Sequence, residues 1–272
     1  MAHIGVLEYL DEQGLKPERV TGTSMGAVVG AWYCLHGSSN GLPDMVHQLF
    51  ESDLFKKLDL DDLMEDEDGE IDSFEELTRR TKVLFTLSRM VRRLSLVDPE
   101  FMPAIMDNLF GSATFADLEI PFAAVATDLY SGEDVALTAG PLATAVQASA
   151  AIPGVFPPVA ANGMLLVDGY ITKNVPVPEP GEPSLRADVL AVDVQRGLTS
   201  HGPWENGIEV LARAEWIMQI QLNRFFLEQA DLVLVPNVKH VHWADFRRID
   251  ELILAGRRAA EAKEEEIRKL FS

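Results

Sequence analysis

The segment Val20–Gly30 reads VTGTSMGAVVG and places Ser24 between two glycines, Gly22 and Gly26. A β-branched run precedes the serine and a small apolar run follows it, which predicts a short strand, a tight turn and a buried helix. Such a turn holds a serine in a strained conformation and needs small neighbours to avoid collision. The following helix directs free amides and its positive dipole end at the serine oxygen. The pattern fits either a nucleophile on a forced turn or a glycine-spaced structural bend.

Predicted strands and helices alternate along most of the chain on either side of this turn. We predict further strands at five segments, PFAAVATDL (121–129), EDVALTA (133–139), GMLLVDG (163–169), ADVLAVDV (187–194) and DLVLVP (231–236). Apolar periodicity predicts helices at five segments, numbered 4–10, 24–36, 141–151, 205–229 and 246–270. Strands that alternate with helices are typical of a three-layer α/β/α fold, and we expect a central, mainly parallel sheet.

We expect a single domain over the whole chain, residues 1–272, because α/β folds of this length are commonly one unit. Residues 42–111 depart from the alternation, since their spacing is mostly helical and their charge is high. We therefore predict that this segment leaves the central sheet as a helical excursion, in the position of a cap or lid.

The composition excludes several classes of function. The formal net charge of -20, from 43 acidic and 23 basic side chains, opposes binding to a nucleic-acid backbone. The single cysteine, Cys34, excludes an internal disulfide and a cysteine-based zinc site, and it is compatible with a reducing, cytoplasmic compartment. No apolar run reaches membrane-spanning length, so we expect any lipid contact to be peripheral, for example through the amphipathic segment Lys82–Leu96. The sequence leaves the oligomeric state open.

A serine nucleophile needs a base within hydrogen-bonding reach. Asp168 ends the predicted strand and is followed by Gly169, a position from which a carboxylate faces a cleft and accepts the serine proton directly. Alternatively, His240 or His242 stands between the two, because the order Ser24, Asp168, histidine is the chain order of α/β-hydrolases. The residues alone therefore leave a dyad and a triad open.

Five motifs together resemble the bacterial patatin-like phospholipases, which are serine acyl hydrolases. They are HIGVLEYLDEQG (3–14), VTGTSMGAVVGA (20–31), ATDLYSGE (126–133), ASAAIPGVFPPV (148–159) and LLVDGY (165–170), in the order and approximate spacing of that family. The resemblance implies that Ser24 and Asp168 form a catalytic dyad, and it favours the dyad over the triad. It also implies hydrolysis of carboxylic esters of phospholipids or lysophospholipids, without a metal or organic cofactor.

Two departures from the family pattern affect the expected site. Tyr170 follows Asp168 and Gly169 where the family usually has glycine or alanine, so its side chain points away from the cleft or narrows it. In the family, a glycine-rich loop comes immediately before the helix that begins here near Ala2, and its amides form most of the oxyanion hole. We expect that residues ahead of Met1 supply this loop, or else that the fold is curtailed and activity is weak. Within this sequence, the backbone amide of Met25 is a candidate oxyanion donor.

Three functions fit these residues. The first is hydrolysis of lipid esters. The second is lipid binding with weak or no activity, because removal of one oxyanion donor typically costs about 2.7 to 4 kcal/mol of transition-state stabilisation. The third keeps the nucleophile and changes the acyl substrate or the acceptor, which makes the protein a thioesterase or an acyltransferase.

Overall fold

The computed structural model describes residues 1–52, 55, 93–178, 188–195, 197–198, 204, 206–238, 241 and 245–272. The described helices are α1 (Ala2–Glu12), α2 (Met25–His36), α3 (Leu42–Glu51), α4 (Phe101–Phe110), α5 (Leu142–Ser149), α6 (Tyr170–Lys173), α7 (Gly207–Leu227), α8 (Ile249–Glu261) and α9 (Glu264–Leu270). The described strands are β1 (Val20–Thr23), β2 (Phe122–Asp128), β3 (Asp134–Leu137), β4 (Val159–Ala161), β5 (Met164–Asp168), β6 (Leu190–Val192) and β7 (Leu232–Leu234).

The described strands form a five-stranded sheet and a separate two-stranded sheet. β1 pairs with β2 in parallel, and β6 pairs with β7 in parallel. The pairings of β2 with β3, β2 with β5 and β4 with β5 are antiparallel. The α/β class is confirmed, and within it the described main sheet is mixed rather than mainly parallel.

Short connections explain two of the three antiparallel pairs, β2 with β3 and β4 with β5. Residues 129–133 join β2 to β3, and Asn162 and Gly163 join β4 to β5. Parallel neighbours need a crossover of about a dozen residues or more, which neither connection provides. Asn162 and Gly163 have φ values of 51° and 80°, and positive φ at both central residues is typical of a two-residue hairpin turn.

Helices cover both faces of the five-stranded sheet. Phe122, Ala124 and Ala126 of β2 point to one face, where they pack with buried side chains of α2 and α5. Thr127 points to the other face, because alternate residues of a strand face opposite sides. There its hydroxyl lies 2.8 Å from the hydroxyl of Thr172 in α6, and α6 packs against α7. The order is therefore helices, sheet, helices, as the alternation predicts.

Both described ends of the predicted excursion, residues 42–111, are helical. α3 buries Leu42 and Val46, and α4 buries Ile105, in the same hydrophobic cluster that contains α2 and α5. Residues 56–92, in the middle of the excursion, lie outside the described residues. The role of the segment as a cap stays a prediction.

Candidate active site

β1 and β5 lie end to end along one edge of β2. β1 pairs with residues 122–125 of β2, and β5 pairs with residues 126–128. β3 pairs with residues 124–127, which overlap both of those ranges, so β3 occupies the opposite edge. The shared edge brings together two strands that are separated by more than a hundred residues of sequence.

The carboxyl ends of β1 and β5 converge at one point of this edge. β1 runs parallel to β2 and ends with Thr23 opposite Val125. β5 runs antiparallel to β2 and ends with Asp168 opposite Ala126. Because Val125 and Ala126 are consecutive, the residue after β1, Ser24, is brought beside the last residue of β5. The sheet therefore unites the two residues that the sequence motifs single out.

Ser24 forms the turn between β1 and α2 in a strained backbone conformation. Its φ and ψ are 55° and -126°, and Asn162 is the only other non-glycine residue with positive φ among the described residues. Gly111 adopts almost the same angles, 52° and -128°, so Ser24 holds a conformation that suits glycine. Such a conformation costs about 1–3 kcal/mol and persists where surrounding contacts enforce it.

Close backbone packing around the turn leaves no room for a side chain at two glycines. A Cβ at Gly22 would collide with the carbonyl oxygen of Gly26, and a Cβ at Gly169 would collide with that of Val125. A Cβ at Gly26 would have His3 Nε2, 3.7 Å away, as its nearest non-local neighbour among the described residues, which is ordinary contact. The steric need for glycine, expected at both Gly22 and Gly26, thus applies at Gly22 and also at Gly169.

The carboxyl end of α5 holds both converging strand ends. The Ser24 amide donates to the carbonyl oxygen of Ser149 at 3.0 Å and to its Oγ at 3.1 Å. The fully buried Ser149 hydroxyl donates in turn to the Val125 carbonyl oxygen at 2.6 Å. The Asp168 amide donates to the Ala151 carbonyl oxygen at 2.9 Å. Sequence reasoning assigns no role to Ser149, and its only signal is its place in the motif ASAAIPGVFPPV.

The Asp168 carboxyl group is completely buried, with 0% exposure, whereas Ser24 is partly exposed. Asp168 Oδ1 accepts a hydrogen bond from the Tyr170 amide at 2.9 Å, and the Ser24 hydroxyl also interacts with the carboxyl group. Burial raises the pKa of Asp168 to about 7, and the interactions with Ser24 and Tyr170 lower it only in part.

The Ser24 hydroxyl and the Asp168 carboxyl group interact without a hydrogen bond of regular geometry between them. Asp168 Oδ2 has no partner of regular geometry among the described residues. Catalytic hydrogen bonds are often long or poorly aligned in the absence of substrate and tighten when substrate binds. The geometry is therefore compatible with proton transfer from Ser24 to Asp168 and leaves one carboxyl oxygen available.

Other candidate groups are poor bases or nucleophiles, or fall outside the described residues. His240 and His242 lie outside the described residues, so a triad that includes either histidine stays a prediction. His3 lies against the start of α2, and burial lowers its pKa to about 3, which makes its imidazole a weak base. Burial raises the pKa of the Cys34 thiol to about 12 and keeps it protonated.

The side chain of Tyr170 is directed towards α7. Its hydroxyl interacts with the Glu215 carboxylate, and burial, together with the negative charges of Glu215 and Asp168, raises the pKa of the phenol. The bulky residue that departs from the family pattern therefore connects α6 to α7.

The first amides of α2 are free to bind an anion. The first N–H groups of a helix have no acceptor within the helix, and those of Met25 and Gly26 have no protein acceptor among the described residues. They follow Ser24 directly, so the positive end of the α2 dipole lies at the turn.

Comparisons with known proteins place the chain in a family. The family model for patatin-like phospholipase matches residues 1–180. An uncharacterized NTE family protein of Mycobacterium tuberculosis is 32% identical over 220 residues, which cover 79% of this chain and 51% of that protein. A second NTE family protein of that species is 25% identical over 287 residues, 96% of this chain and 44% of that protein. Patatin-like phospholipase domain-containing protein 6 of Mus musculus is 25% identical over 246 residues, 88% of this chain and 15% of that protein.

The chain belongs to the patatin-like phospholipase family, as the five motifs predict. It spans about half the length, or less, of the curated relatives it matches. The description of the family names it for phospholipase activity. None of the described helices combines the length and the hydropathy that crossing a membrane requires.

Proposed function

We propose that this protein hydrolyses carboxylic esters of phospholipids or lysophospholipids, with Ser24 as the nucleophile and Asp168 as the general base. The observation that carries the proposal is the position of the strained Ser24 turn beside a fully buried carboxyl group whose pKa is about 7. A general base is most effective when its pKa lies near the working pH, which an ordinary carboxylate does not meet. The family supports the lipid substrate class.

The first half of the proposed reaction forms an acyl-enzyme. Asp168 accepts the hydroxyl proton of Ser24 while Ser24 Oγ attacks the acyl carbonyl carbon. The Met25 amide, at the positive end of α2, stabilises the negative oxygen that develops on that carbonyl. Asp168 then gives its proton to the leaving alcohol oxygen, and the acyl group remains on Ser24.

The second half releases the fatty acid. Asp168 takes a proton from a water molecule, and the water oxygen attacks the acyl-enzyme carbonyl carbon. The bond to Ser24 Oγ then breaks, and the proton returns from Asp168 to the serine. The partly exposed Ser24 and the buried Asp168 suit this division of work, because the substrate and the attacking water enter at the serine while the carboxyl group is shielded from bulk solvent.

The first test measures fatty acid release from phosphatidylcholine and lysophosphatidylcholine, and p-nitrophenol release from p-nitrophenyl butyrate and octanoate. Ser24→Ala is expected to lower kcat/KM by at least about a thousandfold, because it removes the atom that attacks. Ser272→Ala, which changes an exposed serine, is the control and keeps the wild-type rate. Equal rates for the wild type and Ser24→Ala contradict the proposal.

Further variants and substrates separate the competing mechanisms. His240→Ala and His242→Ala are expected to stay near the wild-type rate, and a loss at either as large as that of Ser24→Ala would give the base role to histidine. Faster turnover of acyl thioesters than of matched oxygen esters would indicate a thioesterase. Acyl transfer to an added alcohol in preference to water would indicate an acyltransferase.

The raised pKa of Asp168 sets the expected pH dependence of the reaction. Only the ionised carboxylate accepts a proton, so kcat/KM is expected to rise about tenfold per pH unit up to pH 7 and to level off above it. The measurement uses p-nitrophenyl butyrate between pH 5 and pH 9 at about constant ionic strength. A flat profile would argue against Asp168 as the base.

A further inference from the structure

α7 presents polar side chains to the protein interior. Gln219 and Asn223 are the buried residues of this helix. Gln219 Nε2 donates to the Ile171 carbonyl oxygen of α6 at 3.1 Å, and Asn223 Nδ2 donates to Gln195 Oε1 at 2.9 Å. Apolar residues on the same side of α7, such as Trp216, are only partly buried, so hydrogen-bonded polar residues occupy the fully buried positions of the helix.

The opposite side of α7 carries large apolar side chains in solvent. Leu211, Met218 and Phe225 are 71%, 64% and 62% exposed. They recur every seventh residue and so form one line of about 21 Å along the helix. Ala214 and Gln221, which lie along the same line, carry no charge. The remaining exposed large apolar residues of α7 are Ile208, Val210 and Ile217.

We call these six exposed large residues the apolar face of α7. A surface helix of a globular protein normally turns its apolar stripe to the core and its polar residues to water. α7 instead buries Gln219 and Asn223 and leaves these six large apolar residues exposed, which indicates that this face meets an apolar partner.

α7 is joined to the candidate active site through α6. The first residue of α6, Tyr170, donates its amide to Asp168 Oδ1 at 2.9 Å and directs its hydroxyl to Glu215 of α7. The next residue, Ile171, accepts the hydrogen bond from Gln219. A partner bound to the apolar face therefore contacts α7, the helix that in turn contacts Tyr170 and Ile171, which follow Asp168 closely in sequence.

We propose that the apolar face of α7 docks this protein on the surface of zwitterionic lipid, where the substrate of the proposed function is presented. The inference rests on that proposed function for the choice of a lipid partner. The size of the face agrees with lipid, since a standard protein–protein interface uses roughly 20–30 residues a side, whereas an interfacial helix needs one apolar face. The segment Lys82–Leu96, considered for lipid contact from sequence, lies mostly outside the described residues.

The charge of the protein selects the kind of lipid. The formal net charge is -20, and an anionic membrane surface repels negative charge over about a Debye length. Insertion of apolar side chains needs no such charge attraction. Docking is therefore expected on phosphatidylcholine, with weaker docking when anionic lipid is added.

The test measures partitioning onto sedimented phosphatidylcholine vesicles, with Ser24→Ala as the parent protein so that turnover does not alter the lipid. The changes Leu211→Gln, Met218→Gln and Phe225→Gln, made together, are expected to weaken partitioning by at least about tenfold, because binding scales with the apolar area inserted. As a second measurement, Phe225→Trp is expected to add a fluorescence signal that brominated phosphatidylcholine quenches.

The matched control removes three exposed apolar side chains from other parts of the surface. It combines Leu129→Gln, Val235→Gln and Leu254→Gln, at residues that are 50%, 53% and 42% exposed. This control is expected to partition like the parent. Thermal melts followed by circular dichroism check that all variants are folded.

Several outcomes would overturn the proposal. These are no binding by the parent, equal partitioning of the α7 variant and the control, or binding that increases when phosphatidylglycerol replaces half of the lipid. A dimer in sedimentation velocity that the α7 variant loses would assign the face to a second copy of the chain. Failure of the proposed function appears separately, as absence of ester hydrolysis by the wild type, and the vesicle measurement does not depend on it.

Discussion

Asp128 and Asp168 are the last residues of the neighbouring strands β2 and β5, and both are buried, with exposures of 5% and 0%. Asp128 accepts four hydrogen bonds, from the amides of Tyr130, Ser131 and Leu165 and from the Ser131 hydroxyl. Asp168 accepts one hydrogen bond of regular geometry among the described residues, from the Tyr170 amide. The two carboxyl groups thus occupy similar positions in one sheet but accept very different numbers of hydrogen bonds.

The number of donors decides the protonation chemistry of each group. Burial alone would raise the pKa of Asp128, but the four hydrogen bonds outweigh burial and lower it below its usual value. At Asp168 burial outweighs the contacts with Ser24 and Tyr170, and the pKa rises to about 7. The Asp128 carboxylate, with four hydrogen-bond donors, anchors the loop after β2. The Asp168 carboxylate, with few donors, can take up a proton and act as a base.

The largest expected effect is on catalysis. Asp168→Asn keeps the shape of the side chain and removes the proton acceptor, so kcat/KM is expected to fall by about a thousandfold, within the range for loss of general-base catalysis. Asp128→Asn is the matched control, because it changes the other buried strand-end aspartate. It is expected to keep the rate per folded molecule within about threefold, since it leaves the base and the nucleophile intact. Hydrolysis of p-nitrophenyl butyrate at pH 8, corrected for the folded fraction, measures both.

The same pair of variants can contradict the different roles assigned to Asp168 and Asp128. A loss of activity in Asp128→Asn as large as that in Asp168→Asn would show that the two carboxyl groups act together. Unchanged activity in Asp168→Asn would remove the base role from Asp168.

The second effect is on stability, and its sign differs between the two aspartates. The folded pKa of Asp168 lies above its unfolded value of 3.8, so its contribution to stability is fully present below about pH 4 and is lost as pH rises through 7. The total loss is on the order of 4 kcal/mol. The folded pKa of Asp128 lies below its unfolded value, so its contribution is present above that value and is lost as pH falls through the folded pKa.

Urea denaturation at pH 5 and pH 8 checks this difference. Between these two pH values, the wild type is expected to lose about 2 to 3 kcal/mol more than Asp168→Asn, which has no carboxyl group to ionise at that position. Asp128→Asn is expected to be less stable than the wild type at neutral pH, and this deficit should shrink below pH 4. Parallel pH profiles for the wild type and Asp168→Asn would mean that the Asp168 pKa is not raised in the folded protein.

Local pattern is sufficient to locate the elements that carry the site. The sequence predicts strands at 121–129 and 163–169, and the structure has β2 and β5 one residue shorter at each end, because alternation and flanking turn residues are local signals. Strand pairing is a long-range property, and so the mixed sheet was not predicted. The Asn162–Gly163 turn is the one local signal for an antiparallel pair at β4 and β5 that sequence reasoning passed over.

The motifs single out Ser24 and Asp168 as residues, but not the environment that tunes them. The pKa of Asp168 depends on complete burial and on a shortage of donors, and both arise from the way β1 and β5 share an edge of β2. The face that α7 turns inward cannot be predicted from the sequence for a similar reason. A helix near 205–229 was predicted and Gly207–Leu227 is found, yet periodicity gives the same pattern whichever face is turned inward.

The smallest expected effect concerns Ser149, which supports the turn beside Asp168 and has no counterpart beside Asp128. Its hydroxyl accepts from the Ser24 amide and donates to the Val125 carbonyl oxygen, so Ser149→Ala loosens the Ser24 turn without touching the substrate. We expect kcat to fall about tenfold with KM nearly unchanged, because a small displacement of the nucleophile weakens attack more than binding. The control is Ser39→Ala, another buried serine, whose hydroxyl donates to Asp11.

Saturation kinetics with p-nitrophenyl butyrate separate positioning from simple destabilisation. A positioning role predicts a lower kcat for Ser149→Ala at temperatures where the variant is fully folded. The midpoint of the pH profile should stay near 7, because the Asp168 amide still donates its hydrogen bond to the Ala151 carbonyl oxygen. A purely structural role predicts a lower Tm and an unchanged kcat, as expected for Ser39→Ala. If Ser149→Ala behaves like Ser39→Ala, the packing at Gly22 and Gly169 and the hydrogen bond from the Ser24 amide to the Ser149 carbonyl oxygen are sufficient to maintain the strain at Ser24. The hydroxyl bridge is then dispensable for catalysis.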